Sequence, residues 1–585
     1  TMRIAVIDKA KCKPDVCGLL CQRMCPRVRS GDETIIVDEL TKKPVIQEDL
    51  CVGCGICVSK CPFGAIIITN TPEAVGVLTH QYGENGFRLF GLPIPKSGAV
   101  VGILGVNGIG KSTALKILSG QLKPNLGELE EELEWAEIIE KYRGNEVQNY
   151  LTKLATGGGK AAYKPQYVDM LAKADGKVRD LLDKASKDWV VVAEEMELTG
   201  ILDRDAKNLS GGELQRLAIA ISLLKDVDLY FIDEPTSYLD ISQRLKVARI
   251  IRRLAEKGKS VIVVEHDLIV LDYISDYIHI AFGEKSAFGI VSQLKNTRVG
   301  INEYLSGSLR SENVRIRPSL IKFEETGGGK IESKDVLCKY PAVKKRYKGF
   351  ELSVESGQLN RGAVVGVLGP NATGKTTFMR ILVGEEKNDG DAINLGLKLS
   401  YKPQYLTPVK KTVREVLRAA TEDLYKGHYK TTILDPLELE PLLDRNTDEL
   451  SGGELQRVAI AECLSREADI YFLDEPSAHL DVEQRLITAK MIRRKMELEK
   501  KSAIVIDHDI GFVDYIADKI MVFAGEPGVS GAGHKPEELR AGMNVFLKGM
   551  DMTFRRDEET KRPRANKAGS QKDKEQRAKG EYYYS

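Results

Sequence analysis

The chain has 585 residues, a length that one hydrophobic core seldom serves, so about three to four domains are expected. With 86 Lys and Arg against 85 Asp and Glu the formal net charge is only +1, which excludes bulk attraction to nucleic acid and leaves any RNA contact to local basic patches. Its 42% hydrophobic content supports globular folding, no stretch approaches the ~20 uninterrupted apolar residues of a membrane helix, and the opening segment lacks the apolar core of a signal peptide; a cytoplasmic protein is expected.

Eight of the ten cysteines fall between Cys12 and Cys61, too unevenly for a disulfide framework, and they read as metal ligands. Cys338 and Cys463 stand alone and read as packing residues. Cys51, Cys54, Cys57 and Cys61-Pro62 carry the spacing of the bacterial ferredoxin run, whose short loops gather three thiolates around one cubane while the fourth serves a second cluster. Cys12, Cys17, Cys21 and Cys25-Pro26 supply the second run, with wider spacings. Crossed ligation assigns Cys12, Cys17, Cys21 and Cys61 to one [4Fe-4S] cluster and Cys25, Cys51, Cys54 and Cys57 to the other, with zinc as the alternative metal. Lys9, Lys11, Lys13, Arg23, Arg27 and Arg29 make this segment basic.

Two phosphate-binding loops follow, each after an apolar strand and before a helical pattern. The first places Gly105, Asn107, Gly108, Gly110, Lys111, Ser112 and Thr113, and the second Gly369, Asn371, Gly374, Lys375, Thr376 and Thr377. Glycines let backbone N–H groups turn onto phosphates, the lysine reaches the terminal phosphates and the hydroxyl meets Mg²⁺. Upstream aromatics, Tyr82 or Phe87 and Tyr340 or Phe350, are candidates to stack on adenine. Between Lys111 and Gln166 the first copy is nearly twice as long as the second is between Lys375 and Gln404. This insertion, near 137–164, interleaves lysines with Tyr142, Tyr150 and Tyr163, a composition that suits phosphate contact with base stacking.

Downstream, the order repeats nearly residue for residue: Gln166, Ser210-Gly211-Gly212-Glu213, Asp233-Glu234 and His266, then Gln404, Ser451-Gly452-Gly453-Glu454, Asp474-Glu475 and His508. Phosphoryl transfer to water needs positioning and charge neutralisation. Ser112, Gln166 and Asp233, and likewise Thr376, Gln404 and Asp474, are candidates for Mg²⁺. Glu234 and Glu475 would polarise the attacking water, and His266 and His508 would sense the γ-phosphate.

The twice-repeated LSGGELQR signature resembles that of ATP-binding-cassette (ABC) nucleotide-binding domains. The ferredoxin-like head, two complete cassettes and an insertion in the first together resemble the ABCE family, also called RNase L inhibitor proteins. The resemblance implies a multidomain chain: an N-terminal ferredoxin-like α+β iron–sulfur domain at 2–72, then two α/β ABC-type P-loop domains arranged head to tail. The first cassette spans 73–300 and a hinge 301–330. The second, with a C-terminal hinge, spans 331–548. Each ATP would lie between the phosphate loop of one cassette and the signature of the other. The low apolar content of 549–585 predicts a basic, disordered tail.

The activity implied is ATP hydrolysis to ADP and phosphate that splits ribosomes into subunits after termination, as the cassettes close and move the head. Implied partners are the ribosome and its small subunit, with rRNA and ribosomal proteins, a termination or release factor and initiation factors; no membrane is implied, and the chain would act as a monomer. Alternative readings are an ATP-gated iron–sulfur electron-transfer enzyme and a translation factor of the ABCF type, which has tandem cassettes but no such head.

Overall fold

The computed structural model describes residues 3–9, 11–39, 41–70, 76–158, 160–166, 171, 173–317, 320–321, 323 and 335–583. The chain divides into two units: Thr1–Pro235 with Arg249–His266 and Ile274–Ser319, and Thr236–Ala248 with Asp267–Tyr273 and Leu320–Ser585. Of the expected head attachment near Thr69 to Pro72, residues 71 and 72 lie outside the described residues, as do 318–319, 322 and 324–330 of the expected hinge at 301–330.

The first unit opens with the cysteine-rich head. Strand Arg3–Ile7 pairs antiparallel with Ile66–Asn70, bringing the two ends of the head together, and Ile35–Val37 pairs with Pro44–Ile46. Ala5, Ile7, Ile35, Ile46 and Ile66 form a small core shared with Cys21, Cys25 and Cys57. So few apolar residues make a marginal core, and metal ligation is the usual support for a segment of this size.

A nine-stranded sheet follows, whose central strands run parallel in the order Tyr277–Glu284, Val100–Leu104, Ser260–Val264, Leu229–Asp233, Ala161–Lys164. Val100–Leu104 and Leu229–Asp233 are buried throughout, which explains their unbroken apolar runs. The second unit repeats this order with Lys519–Ala524, Val364–Leu368, Ser502–Ile506, Ile470–Asp474 and Leu399–Lys402. In both, the phosphate loop leaves a central strand at its carboxyl end, where open α/β sheets place their ligands.

Two expectations need correction. The insertion is a helical hairpin, Trp135–Lys141 and Glu146–Ala155, and its tyrosines do not stack on an external base. Tyr142 is buried with Ile138, Val147 and Leu151, its hydroxyl 2.6 Å from Thr79 Oγ1, and Tyr150 donates to Leu118 O at 2.5 Å. Tyr163 lies on the sheet beside Asp233. Lys141, Lys153 and Lys160 are exposed, as are Arg143 and the acidic Glu137, Glu140 and Glu146.

The described residues of the tail are folded. Strands Phe554–Arg556 and Pro563–Ala565 form a hairpin, followed by helix Gln571–Lys579. Phe554 and Tyr583 join a core with Ile510 and Val513, and the charges are consumed internally: Arg562 Nη1 meets Asp272 Oδ2 at 3.0 Å, and Arg556 Nη1 meets Asp514 Oδ2 at 2.7 Å. Composition suggests solvated charge here, whereas paired charges and bonded amides replace apolar area. Among the described residues no helix is long and apolar enough to cross a membrane.

Candidate active sites and cysteine head

Gly110 and Gly374 begin the phosphate-loop helices, Lys111–Leu118 and Lys375–Val383, with φ of 88° and 87°. A side chain could not stand there: a Cβ at Gly110 would approach Phe87 Cζ to 2.7 Å, and one at Gly374 would approach Phe350 Cζ to 3.1 Å. These two aromatics therefore pack beneath the loops. Lys111 Nζ donates to the carbonyls of Gly105 and Val106 at 2.9 and 2.7 Å, and Lys375 Nζ to those of Gly369 and Pro370 at 2.9 and 2.6 Å. Asn107 Oδ1 lies 3.4 Å from Lys111 Nζ. Burial lowers the Lys375 ammonium to about 8.

The Mg²⁺ candidates converge as pairs. Ser112 Oγ donates to Asp233 Oδ2 at 2.9 Å and Thr376 Oγ1 to Asp474 Oδ2 at 2.7 Å, a hydroxyl and a carboxylate side by side as hard oxygen donors for this ion. Gln166 Nε2 donates to Glu234 Oε1, and Gln404 Nε2 to Glu475 Oε1, both at 2.7 Å. On the same oxygens stand the histidines, His266 Nε2 at 3.1 Å and His508 Nε2 at 3.4 Å. Within each acidic pair the two carboxyls are driven apart. Burial, reinforced by Glu475, pushes Asp474 up to about 6. Against the same burial, His508 and Lys375 hold Glu475 at about 2, and His266 and Lys111 hold Glu234 well below the carboxylate range. Each glutamate is thus kept ionised, as an acceptor of a water proton must be.

The signature motif has a local explanation. Ser210 caps helix Gly211–Leu223 and Ser451 caps Gly452–Ser465, and Glu213 and Glu454 close the capping boxes from the third helical position. The serine N–H donates to the glutamate carboxylate in each box, at 2.8 and 2.9 Å, and both helix N-termini thereby present ordered glycine N–H groups.

Sequence reasoning missed three features. Lys164 and Lys402, from the twice-repeated Tyr-Lys-Pro-Gln, are buried against the acidic pairs. Glu234 and Glu475 take φ of 47° and 48°, in the left-handed region, at a cost of roughly 1–2 kcal/mol that surrounding contacts must hold. Tyr340, an adenine-stacking candidate, is buried against Phe378 and presents no face to a ligand. Exposed Tyr347, which touches Thr377, takes the position that Tyr82 has beside Thr113, 3.3 Å from its Oγ1. The hairpin turn that places Tyr347 gave no motif to recognise.

In the head, Cys12, Cys17, Cys21 and Cys61 line one cavity, walled by Leu20, Phe63 and Ile66. Cys57 lies near Cys51 and Cys54 and shares its core with Cys25. Ala65 N donates to Cys61 Sγ and Ala5 N to Cys51 Sγ, both at 3.4 Å, the N–H···S bonds typical around cluster sulfurs. Burial, with neighbouring thiols, pushes Cys21 up to about 11 and Cys57 up to about 12, so a cationic metal centre is needed to ionise them. Four thiols set around a cavity, with an N–H···S donor beside them, fit a polynuclear iron–sulfur cluster.

The ABC transporter family matches residues 95–237 and 352–478, the 4Fe-4S binding domain residues 44–67, and the possible Fer4-like domain in RNase L inhibitor residues 2–33. The head therefore binds iron–sulfur and the cassettes bind and hydrolyse ATP. Translation initiation factor RLI1 of Saccharomyces cerevisiae is 44% identical over 596 residues, covering 100% of this chain and 98% of its own. Archaeal ABCE1, in a model of its ribosome-bound state with Pelota, is 53% identical with a TM-score of 0.92, covering 100% of this chain and 99% of that one. In a complex with the ribosomal stalk protein aP1, the archaeal ribosome recycling factor aABCE1 is 52% identical with a TM-score of 0.84, covering 87% and 99%. Full-length similarity at this level, with both cassettes and the cysteine head included, establishes that the chain belongs to the ABCE, or RNase L inhibitor, family.

Proposed function

We propose that this chain is a cytoplasmic, monomeric ribosome recycling factor that uses ATP to separate the ribosomal subunits after termination, working with a release factor and remaining on the small subunit, where initiation factors follow. The observation that carries this reading is the full-length match to ribosome-bound ABCE1 by a chain that carries the phosphate loop, signature, acidic pair and histidine twice.

At each site the loop N–H groups and Lys111 or Lys375 bind the phosphates. Ser112, Gln166 and Asp233, or Thr376, Gln404 and Asp474, would hold Mg²⁺, which would supply positive charge against that developing on the phosphates. Glu234 or Glu475 accepts a proton from the water whose oxygen attacks the γ-phosphorus. The bond to the bridging oxygen breaks, and ADP and phosphate leave. His266 and His508 sense the γ-phosphate, and signature residues Ser210–Gly212 and Ser451–Gly453 contact nucleotide held by the opposite cassette. ATP that touches both cassettes favours their closed arrangement, and hydrolysis releases it.

Cys12, Cys17, Cys21 and Cys61, and Cys25, Cys51, Cys54 and Cys57, would each hold a [4Fe-4S] cluster, which would stiffen the head. Its attachment supports a lever role. Asn85 donates to Ala5 O at 2.9 Å and accepts from Ile7 N at 3.1 Å, and Arg88 Nη2 meets both Glu48 oxygens at 2.7 Å. A head held this way follows the first cassette when it moves. Sucrose-gradient sedimentation of ribosomes with the chain, release factor and ATP tests the proposal: the intact-ribosome peak should fall with ATP and persist without nucleotide, and persistence under both conditions refutes it.

A further inference from the structure

Lys164 and Lys402 end equivalent strands next to the acidic strands, and each is 1% exposed. Lys164 Nζ donates to Asp233 O at 2.8 Å and to Glu234 O at 3.2 Å. Lys402 Nζ repeats the pattern with Asp474 O at 2.7 Å and Glu475 O at 3.2 Å. The glutamate carbonyl also accepts from Gln215 Nε2 or Gln456 Nε2, both at 2.7 Å. Their ammonium groups are thus buried against the main-chain oxygens of the acidic pair.

A buried ammonium carries a desolvation penalty that an apolar chain of similar length would avoid. What the ammonium adds is directed, charge-assisted donation to two successive carbonyls. Those carbonyls flank the residue at φ 47° or 48°, and fixing them fixes the backbone from which the glutamate side chain departs. That side chain ends where Gln166 and His266, or Gln404 and His508, meet its carboxylate.

We propose that Lys164 and Lys402 are positioning residues for ATP hydrolysis, which hold Glu234 and Glu475 in the left-handed backbone conformation that aims their carboxylates at the attacking water. The inference rests on the reading of those glutamates as the groups that polarise water. The full-length, cluster-loaded chain carrying Lys164→Met and Lys402→Met together is compared with the parent in steady-state ATP hydrolysis and in affinity for a non-hydrolysable ATP analogue. kcat should fall about tenfold or more, while KM and analogue affinity stay within about twofold. Added to Glu234→Gln and Glu475→Gln, the lysine changes should lower turnover no further, because the group they aim is already gone. Gln215→Leu with Gln456→Leu removes the other donor to the same carbonyl; it should lower kcat by a smaller factor at constant KM, and it serves if the methionine variant does not fold. A kcat within about twofold of the parent in the methionine variant, or in the leucine variant where that one alone folds, overturns the inference, as does a parallel loss of analogue affinity. Full turnover by the Glu234→Gln, Glu475→Gln chain overturns instead the glutamate reading beneath it.

Discussion

The two cassettes differ little where phosphate is held and plainly in the hairpin that precedes it. In the first, the strands Leu78–Gln81 and Arg88–Phe90 are joined by a long turn whose Asn85 reaches into the head. In the second, Val343–Tyr347 and Phe350–Val354 are joined by Lys348-Gly349 alone, with Gly349 at φ 93°. Both hairpins still deliver an exposed tyrosine to the residue after the phosphate-loop hydroxyl. Chemistry constrains the distances around ATP, so they recur to within tenths of an ångström, while the surrounding hairpin is free to carry a different attachment.

The largest test of that equivalence is chemical. Glu234→Gln and Glu475→Gln, made singly, should each slow turnover at their own site by roughly 100-fold or more, because a general base contributes on that scale. Single-turnover measurements that find one substitution silent would show the two sites to be unequal.

A second test uses a place where the sheets differ. His279 on Tyr277–Glu284 is buried and neutral, accepting from Ile94 N at 3.0 Å and lying 2.7 Å from Ser292 O, whereas Met521 holds the equivalent place in the second sheet. Burial lowers His279 from 6.5 to about 4. The unfolded chain takes up a proton below 6.5 that the folded chain refuses, so stability is lost as pH falls through this window, by about 1.4 kcal/mol per unit. Denaturant melts at stepped pH should show His279→Met losing that part of the slope, and an unchanged slope refutes it.

Asn85→Ala should leave Ile7 N–H and Ala5 C=O unpaired, at a cost of about 2 kcal/mol. Amide exchange in Arg3–Ile7 should quicken about thirtyfold while Phe350–Val354 is unchanged; equal quickening in both would mean general destabilisation. The smallest effect lies in the phosphate loops. Ala372 takes φ 58° where the first copy has Gly108 at φ 80°. Ala372→Gly should stabilise the second unit by about 0.5–1 kcal/mol and Gly108→Ala should destabilise the first by a similar amount, since a Cβ at Gly108 meets nothing nearer than 3.8 Å and only the backbone angle is penalised. Thermal melts check both signs.

The ATP sites were legible because phosphate chemistry imposes residue type, spacing and order together. Ser112, Gln166, Asp233, Glu234 and His266 lie far apart in sequence and meet in space, as their repetition implies. Lys164 was not legible: one lysine before Pro-Gln looks like solvated charge, and only the sheet reveals that it points inward. Tyr142 misled for a related reason. Lysines around it suggested a basic surface, but Ile138 and Tyr142, like Val147 and Leu151, stand four apart on one helical face and are buried. The tail was misread because composition registers apolar burial alone, whereas Arg562 with Asp272, and Asn566 with Thr553 and Gln576, order it through paired polar groups.

The claim at the centre of this account is that ATP at two equivalent sites holds the working state and hydrolysis ends it. The most direct measurement is gradient sedimentation of small ribosomal subunits with ATP and the chain carrying both Glu234→Gln and Glu475→Gln, beside the parent. The account predicts that the double variant stays on the small subunit through the gradient while the parent is released. Rapid release of the double variant, with ATP binding intact, would contradict it.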